Sequence, residues 1–130
     1  MSSTDFQVHD GLLVVQQMSE GERLRLALSG EMDLANTETA AVTLREALAS
    51  GRSVVVDLAK LEFLDSTGLA MLVTSIREAG EQLSFLPSEH AAVRRLLSLT
   101  GLDARMNLAP ASAPAPSPGG SDAEPLMPAA

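Results

Sequence analysis

Between residues 12 and 102 the apolar residues change their period repeatedly, and no other feature narrows the possible folds as much. In GLLVVQQMSEGERLRLALSGE, runs at about 12–17 and 23–29 read as two strands joined by the turn-like SEGE. In the second run Leu24, Leu26 and Leu28 alternate with Arg23, Arg25 and Ala27, the pattern of a half-buried strand. LANTETAAVTLREALASG then sets Ala41, Leu44 and Leu48 at helical spacing before Gly51. The run Val54, Val55, Val56 suits a strand covered on both faces. After Ser66 the period turns helical again, with Leu69, Leu72, Val73 and Ile76 on one stripe that ends by Gly80. QLSFLP reads as a strand stopped at Pro87. SEHAAVRRLLSLTGL reads as a third helix with Ser88 as its N-cap and Gly101 at its stop, and ARMNL as a last short strand.

The order β-β-α-β-α-β-α implies an α/β fold: a single domain in which a mixed β-sheet packs against α-helices. The strands of VVV and QLSFL flank a helix, so they are expected to run parallel. In sheets of this kind functional groups collect where strands give way to helices at their carboxyl ends. That rule points to DSTG at 65–68 and to EMDLAN at 31–36.

Length and composition set the remaining bounds. A chain of 130 residues accommodates one domain, here 1–108, and a tail at 109–130 that holds six of the seven prolines. APASAPAPSPGGSDAEPLMPAA cannot bury enough apolar surface to offset ordering, so it is predicted to be disordered and is assigned no site. With no Trp or Tyr and only Phe6, Phe63 and Phe85, the core must be aliphatic. The absence of cysteine removes disulfides, thiolate metal sites and cysteine nucleophiles. MSSTDFQVHDG lacks the basic and apolar regions of a signal peptide, and no apolar run approaches the roughly 20 residues that cross a bilayer. The expectation is a cytoplasmic, soluble protein without direct membrane contact. A net charge of −8 argues against nucleic acid, and Arg94–Arg95 reads as a solvated helix face.

LEFLDSTGLAML, residues 61–72, poses the functional question. Asp65 or Ser66 could simply cap a helix, and a cap is worth about 1 kcal/mol. On residue type alone the cap is the favoured reading, but an exposed serine at a helix start is also a good place to accept phosphate, because free amides and the positive end of the dipole favour an anion. A phosphate adds roughly −1.5 to −2 charges. The helix itself tolerates that charge, so such a switch is expected to act across an interface. A hundredfold loss of affinity needs only about 2.7 kcal/mol, within the range of like-charge juxtaposition. Serine hydrolase chemistry needs a histidine base and an oriented acid. His9 and His90 have no such partners in the sequence, no nucleophile elbow surrounds Ser66, and both histidines read as surface residues. Phosphate-cradling glycine loops and metal-ligand spacings are also missing, which argues against an enzyme. Asp57 ends the VVVDL strand as a rival phosphoacceptor, but the first strand ends in QQM without the acidic pair that would hold Mg²⁺. Asp57 is therefore expected to cap a turn or face solvent.

Three ordered segments, LSGEMDLAN (28–36), VVVDLAKLEFLDSTGLAMLV (54–73) and AVRRLLSLTGLD (92–103), resemble a STAS domain, and more specifically the bacterial anti-sigma factor antagonists. The resemblance is collinear over roughly residues 10–105. It implies that Ser66 is phosphorylated by a partner, an anti-sigma factor that is also a serine kinase with an ATP fold of the histidine-kinase type. It further implies that Asp65 and Thr67 shape the turn, that Gly68 permits close backbone approach, and that Asp33 supports partner binding. The residue-level alternative for Asp33, N-cap of the first helix, stays open. The implied mechanism is partner switching: unphosphorylated protein binds the anti-sigma factor and frees a sigma factor, phosphorylation breaks the complex, and a PP2C-type phosphatase resets it. ATP and Mg²⁺ belong to the kinase, so no cofactor is expected here. GLAML also resembles STAS subunits of phospholipid-transporting ABC complexes, which are accessories without a regulatory phosphate.

Overall fold

Leu24, Leu26 and Leu28 lie on one face of the longest strand of a six-stranded sheet, and that face carries the core. The structure is a computed structural model, and it describes residues 5–109. The strands are β1 (Phe6–Asp10), β2 (Leu13–Glu20), β3 (Arg23–Met32), β4 (Ser53–Asp57), β5 (Leu61–Leu64) and β6 (Leu83–Leu86). The helices are α1 (Thr37–Ala49), α2 (Ser66–Ala79) and α3 (Ala91–Leu99), with single 3-10 turns at Gly80–Gln82 and Leu102–Arg105. The sheet order is β1-β2-β3-β4-β6, with β5 pairing the far end of β3. β1–β2 and β2–β3 are antiparallel, whereas β3–β4, β3–β5 and β4–β6 are parallel, so the expected mixed sheet and the parallel VVV and QLSFL strands are both present.

Alternate residues Leu13, Val15, Val54, Val56, Leu83 and Phe85 join the leucines of β3 in one buried cluster with Ala40, Leu44 and Ala47 of α1, Leu72 of α2, and Val93 and Leu97 of α3. The core is aliphatic around one phenylalanine, as the composition requires. Val55 points away from this cluster, in register with Arg25 and Ser84, and is buried all the same. On that face the ion pairs Arg23–Glu20, Arg25–Glu20 and Arg25–Asp57 lie across the same strands. The second cover over β4 is therefore built with long charged side chains, which shield apolar surface with their stems.

Several sequence expectations need correction. β1 and β5 were not anticipated: FQVHD mixes polar and apolar residues without a clear period, and LEFL is only four residues long. Ser88 is not the N-cap of α3. His90 occupies that position, and the buried Ser88 hydroxyl instead donates to Leu61 O and accepts from His90 N–H at 2.9 Å. ARMNL forms no strand; its residues continue a 3-10 turn into a single parallel bridge between Leu108 and Phe85. Ala109, assigned to the tail, is buried and donates its N–H to Phe85 O at 2.8 Å, so it belongs to the domain. The rest of the tail lies outside the described residues.

Two glycines permit backbone contacts that shape the functional end of the sheet. Gly30 has φ +91°, and a Cβ there would sit 2.0 Å from Leu12 O. That leaves room for the irregular register at which β3 passes from β4 to β5. Gly68 lies against Leu64 and Met32, where a Cβ would approach Leu64 Cδ1 to 2.4 Å.

Candidate functional site

β5 ends at Leu64 and α2 begins at Ser66, so only Asp65 separates strand from helix. Asp65 has extended backbone geometry and is the N-cap. Its Oδ1 accepts from Thr67 N–H (2.9 Å) and Gly68 N–H (3.1 Å), and also from the Thr67 hydroxyl at 2.5 Å. Its Oδ2 accepts from Leu34 N–H at 3.0 Å in the β3–α1 loop, and its own N–H donates to Met32 O at 3.2 Å. One carboxylate therefore fixes both the start of α2 and the loop after β3. The Thr67 hydroxyl holds the Asp65 carboxyl below the usual carboxylate range, assisted by the amides of Gly68, Thr67 and Leu34 and opposed by partial desolvation.

This geometry separates the two hydroxyls. Thr67 is half-buried and committed to Asp65, and it also lies 3.4 Å from the Thr37 hydroxyl. Ser66 is exposed, and no hydrogen bond engages its side chain among the described residues. The amides expected to be free at the helix start are in fact occupied: those of Thr67 and Gly68 face Asp65 Oδ1, and that of Leu69 donates to Asp65 O. A phosphate on Ser66 would thus share the helix terminus with an anion already in place.

The β3–α1 loop has its own support. Asp33 is not the cap of α1; Asn36 takes that position without a side-chain cap bond. Asp33 Oδ1 accepts from Ala35 N–H, and Asp33 O accepts from the amides of Asn36 and Thr37 and from the Thr37 hydroxyl. Asn36 is buried, with its Oδ1 accepting from Asp33 N–H and its Nδ2 donating to Glu31 O and Asp10 O. Beside it, the Thr39 hydroxyl bonds Asp10 Oδ2, which ties α1 to the β1–β2 turn. Sequence reading marked EMDLAN as a place for chemistry but gave Asn36 no role; the signal was an amide three residues after Asp33, just before the first helix.

The other candidates are now placed. Gly68 is buried behind the site, so the close approach it permits is to Leu64 and Met32 of its own core. Asp57 does not face solvent. Its Oδ2 accepts from Arg25 Nε and Nη2 and its Oδ1 from Ala59 N–H, an engaged, buried carboxylate that does cap a turn. His9 and His90 are both exposed. Among the described residues there is no cluster of three or more His, Cys, Asp or Glu arranged to hold a metal, and no helix long and apolar enough to cross a membrane.

The family model described as "Mlab, STAS domain" matches residues 15–110. The anti-sigma-F factor antagonist RsfB of Mycobacterium tuberculosis, found in two strains, is 31% identical over 85 residues, 64% of this chain and 70% of the relative. The chain belongs to the STAS-domain family of anti-sigma factor antagonists. Among solved structures, an anti-sigma factor antagonist from Mycobacterium paratuberculosis superimposes with a TM-score of 0.67 at 25% identity, covering 85% of this chain and 91% of that one. The anti-sigma factor antagonist SpoIIAA in its unphosphorylated form shares the fold with a TM-score of 0.60 at 22% identity, over 75% of this chain and 90% of that one.

Proposed function

We infer that the protein acts in the cytoplasm as an anti-sigma factor antagonist whose unphosphorylated form binds an anti-sigma factor with serine kinase activity and so releases a sigma factor. Phosphorylation of Ser66 ends the interaction, and a PP2C-type phosphatase restores it. The observation that carries this reading is the division of labour at Asp65: Thr67 is consumed by the fold, and Ser66 stands free at the helix start. Asp33, Asp65 and Ser66 line the same strand-to-helix end, and they form the partner-facing surface with Thr67 and Gly68 behind them. A phosphate added there meets Asp65 already seated on the helix amides, so it gains little from the domain and is projected toward the partner. Like charge brought against an interface costs several kcal/mol, enough to dissolve a complex of ordinary affinity.

The test is a pull-down from native lysate with wild type and Ser66→Asp, read by mass spectrometry and paired with thermal unfolding of both proteins. Wild type should retrieve an ATP-binding anti-sigma factor and the variant should not, with melting temperatures that differ by no more than the few degrees of about 1 kcal/mol. Retrieval of the same phospholipid-transporter subunits by both proteins would favour the accessory-subunit reading raised by GLAML. A large fall in melting temperature for Ser66→Asp would make the serine a structural element.

A further inference from the structure

We propose that Leu34, held clear of the domain by a clamp centred on Asn36, is an apolar anchor for that same partner; the proposal rests on the anti-sigma reading above. Leu34 is the most exposed large apolar side chain among the described residues, at 76%. A single exposed leucine is ordinary on a protein surface. This one is unusual in the backbone that presents it, because three successive amides are fixed by side chains. Asp33 N–H donates to Asn36 Oδ1 at 2.9 Å, Leu34 N–H to Asp65 Oδ2 at 3.0 Å, and Ala35 N–H to Asp33 Oδ1 at 3.0 Å.

Asn36 anchors this arrangement from below. It is 1% exposed, and its Nδ2 spans Glu31 O at 3.0 Å and Asp10 O at 3.3 Å, joining the end of β3 to the β1–β2 turn. The loop therefore needs little further ordering when a partner arrives, which favours affinity because side-chain and loop ordering is a main cost of association. Its position fits the same conclusion. The carboxylate that fixes the Leu34 amide through Oδ2 also fixes the amides following Ser66 through Oδ1, so the loop that carries Leu34 is joined directly to the turn that carries Ser66. Leu34 is flanked by the carboxylates of Asp33 and Asp65, which bond the amides on either side of it, so the loop offers an apolar centre with a charged rim. The occupant that fits is the anti-sigma kinase, presenting an apolar pocket for one leucine with basic groups at its rim.

The experiment uses the anti-sigma factor recovered by wild type, purified, and measures its Kd for the full chain and for Leu34→Ala, Leu99→Ala and Ser66→Asp. Leu99 is a comparably exposed leucine on α3 and serves as the control. Leu34→Ala should weaken binding about tenfold or more with an unchanged melting temperature, and Leu99→Ala should leave the Kd as it was. Wild-type affinity in Leu34→Ala, alongside lost binding in Ser66→Asp, would overturn the anchor and spare the switch. Wild-type affinity in both, or no anti-sigma factor recovered, would overturn the underlying reading and the anchor with it. Asn36→Asp keeps the acceptor for Asp33 N–H and loses both donations; it should shift the Leu34 amide resonance and weaken binding, and a folded variant unchanged in both would overturn the clamp.

Discussion

Gly68 is the place where a structural role and a partner-binding role predict different numbers. Its φ lies outside the left-handed region, so the backbone does not demand glycine, and any effect of a side chain must be steric. An added Cβ would stand 2.4 Å from Leu64 Cδ1 and 3.1 and 3.3 Å from Met32 Cε and Cγ. Leu64 is 4% exposed and Met32 0%, so the ends of these two side chains must shift within a packed core, or α2 must move away from β5, to absorb the methyl group. Overpacking of this kind costs about 1–3 kcal/mol. Alanine returns roughly 1 kcal/mol of helix propensity relative to glycine. The net expectation for Gly68→Ala is a loss of about 1 kcal/mol, equivalent to about 4–8 °C in a domain of this size. Urea and thermal unfolding of wild type, Gly68→Ala and Gly68→Val measure it directly, with valine expected to cost clearly more. Equal or higher stability in Gly68→Ala would refute the packing argument. Unchanged stability combined with lost partner binding would make Gly68 a direct contact instead.

Two further outcomes follow from the charged groups. Asp57→Asn keeps an acceptor for Ala59 N–H but leaves a partly buried Arg25 with Glu20 as its remaining carboxylate, so unfolding in urea should show a loss of about 1–3 kcal/mol; an unchanged midpoint would mean the pair across β3 and β4 contributes nothing. Asp65 has a depressed folded pKa, so its contribution is present above the unfolded carboxyl value near 4 and is lost as pH falls through the lower folded value. Wild type should therefore lose stability more steeply than Asp65→Asn below about pH 4, and parallel pH profiles for the two proteins would contradict the hydrogen-bonded cap.

The parts of the fold that were legible in sequence are those with a strong period. β3 shows clean alternation through Leu24, Leu26 and Leu28, α2 shows the i, i+3, i+4, i+7 stripe, and β4 is a run of valines; all three stand where periodicity put them. β1 and β5 escaped because each draws its stability from its neighbour. β1 is an edge strand paired only to β2, with half-exposed residues, and β5 pairs β3 through a register shift made possible by Gly30, which no local pattern announces. The site was legible in part for the same reason. The type sequence Asp-Ser-Thr-Gly marks a helix start, but which hydroxyl the fold uses depends on a carboxylate rotamer set by Leu34, thirty-one residues away in sequence. Asn36 was invisible because its partners are backbone carbonyls of Asp10 and Glu31, and backbone carbonyls leave no trace in composition or spacing.

The order of residues at the turn follows from what each hydroxyl is asked to do. At the position after the cap, a side chain points outward from the first turn, and Ser66 there is exposed. At the next position Thr67 reaches back to the cap, and its hydroxyl is the leading influence holding Asp65 ionised. A phosphate on Thr67 would remove the Thr67–Asp65 bond and set two anions against each other inside the fold, undoing the contact that also fixes Leu34. The Ser66 hydroxyl takes part in none of the hydrogen bonds of Asp65, so a phosphate there would replace none of them, although it would stand at the same helix terminus as that carboxylate. Exchanging the two roles would turn the proposed interface switch into an unfolding switch, with the charge working against the domain that carries it. The arrangement of Asp65, Ser66 and Thr67 thus keeps the residues that stabilise the helix start separate from the exposed serine, and the switch proposed for Ser66 requires that separation.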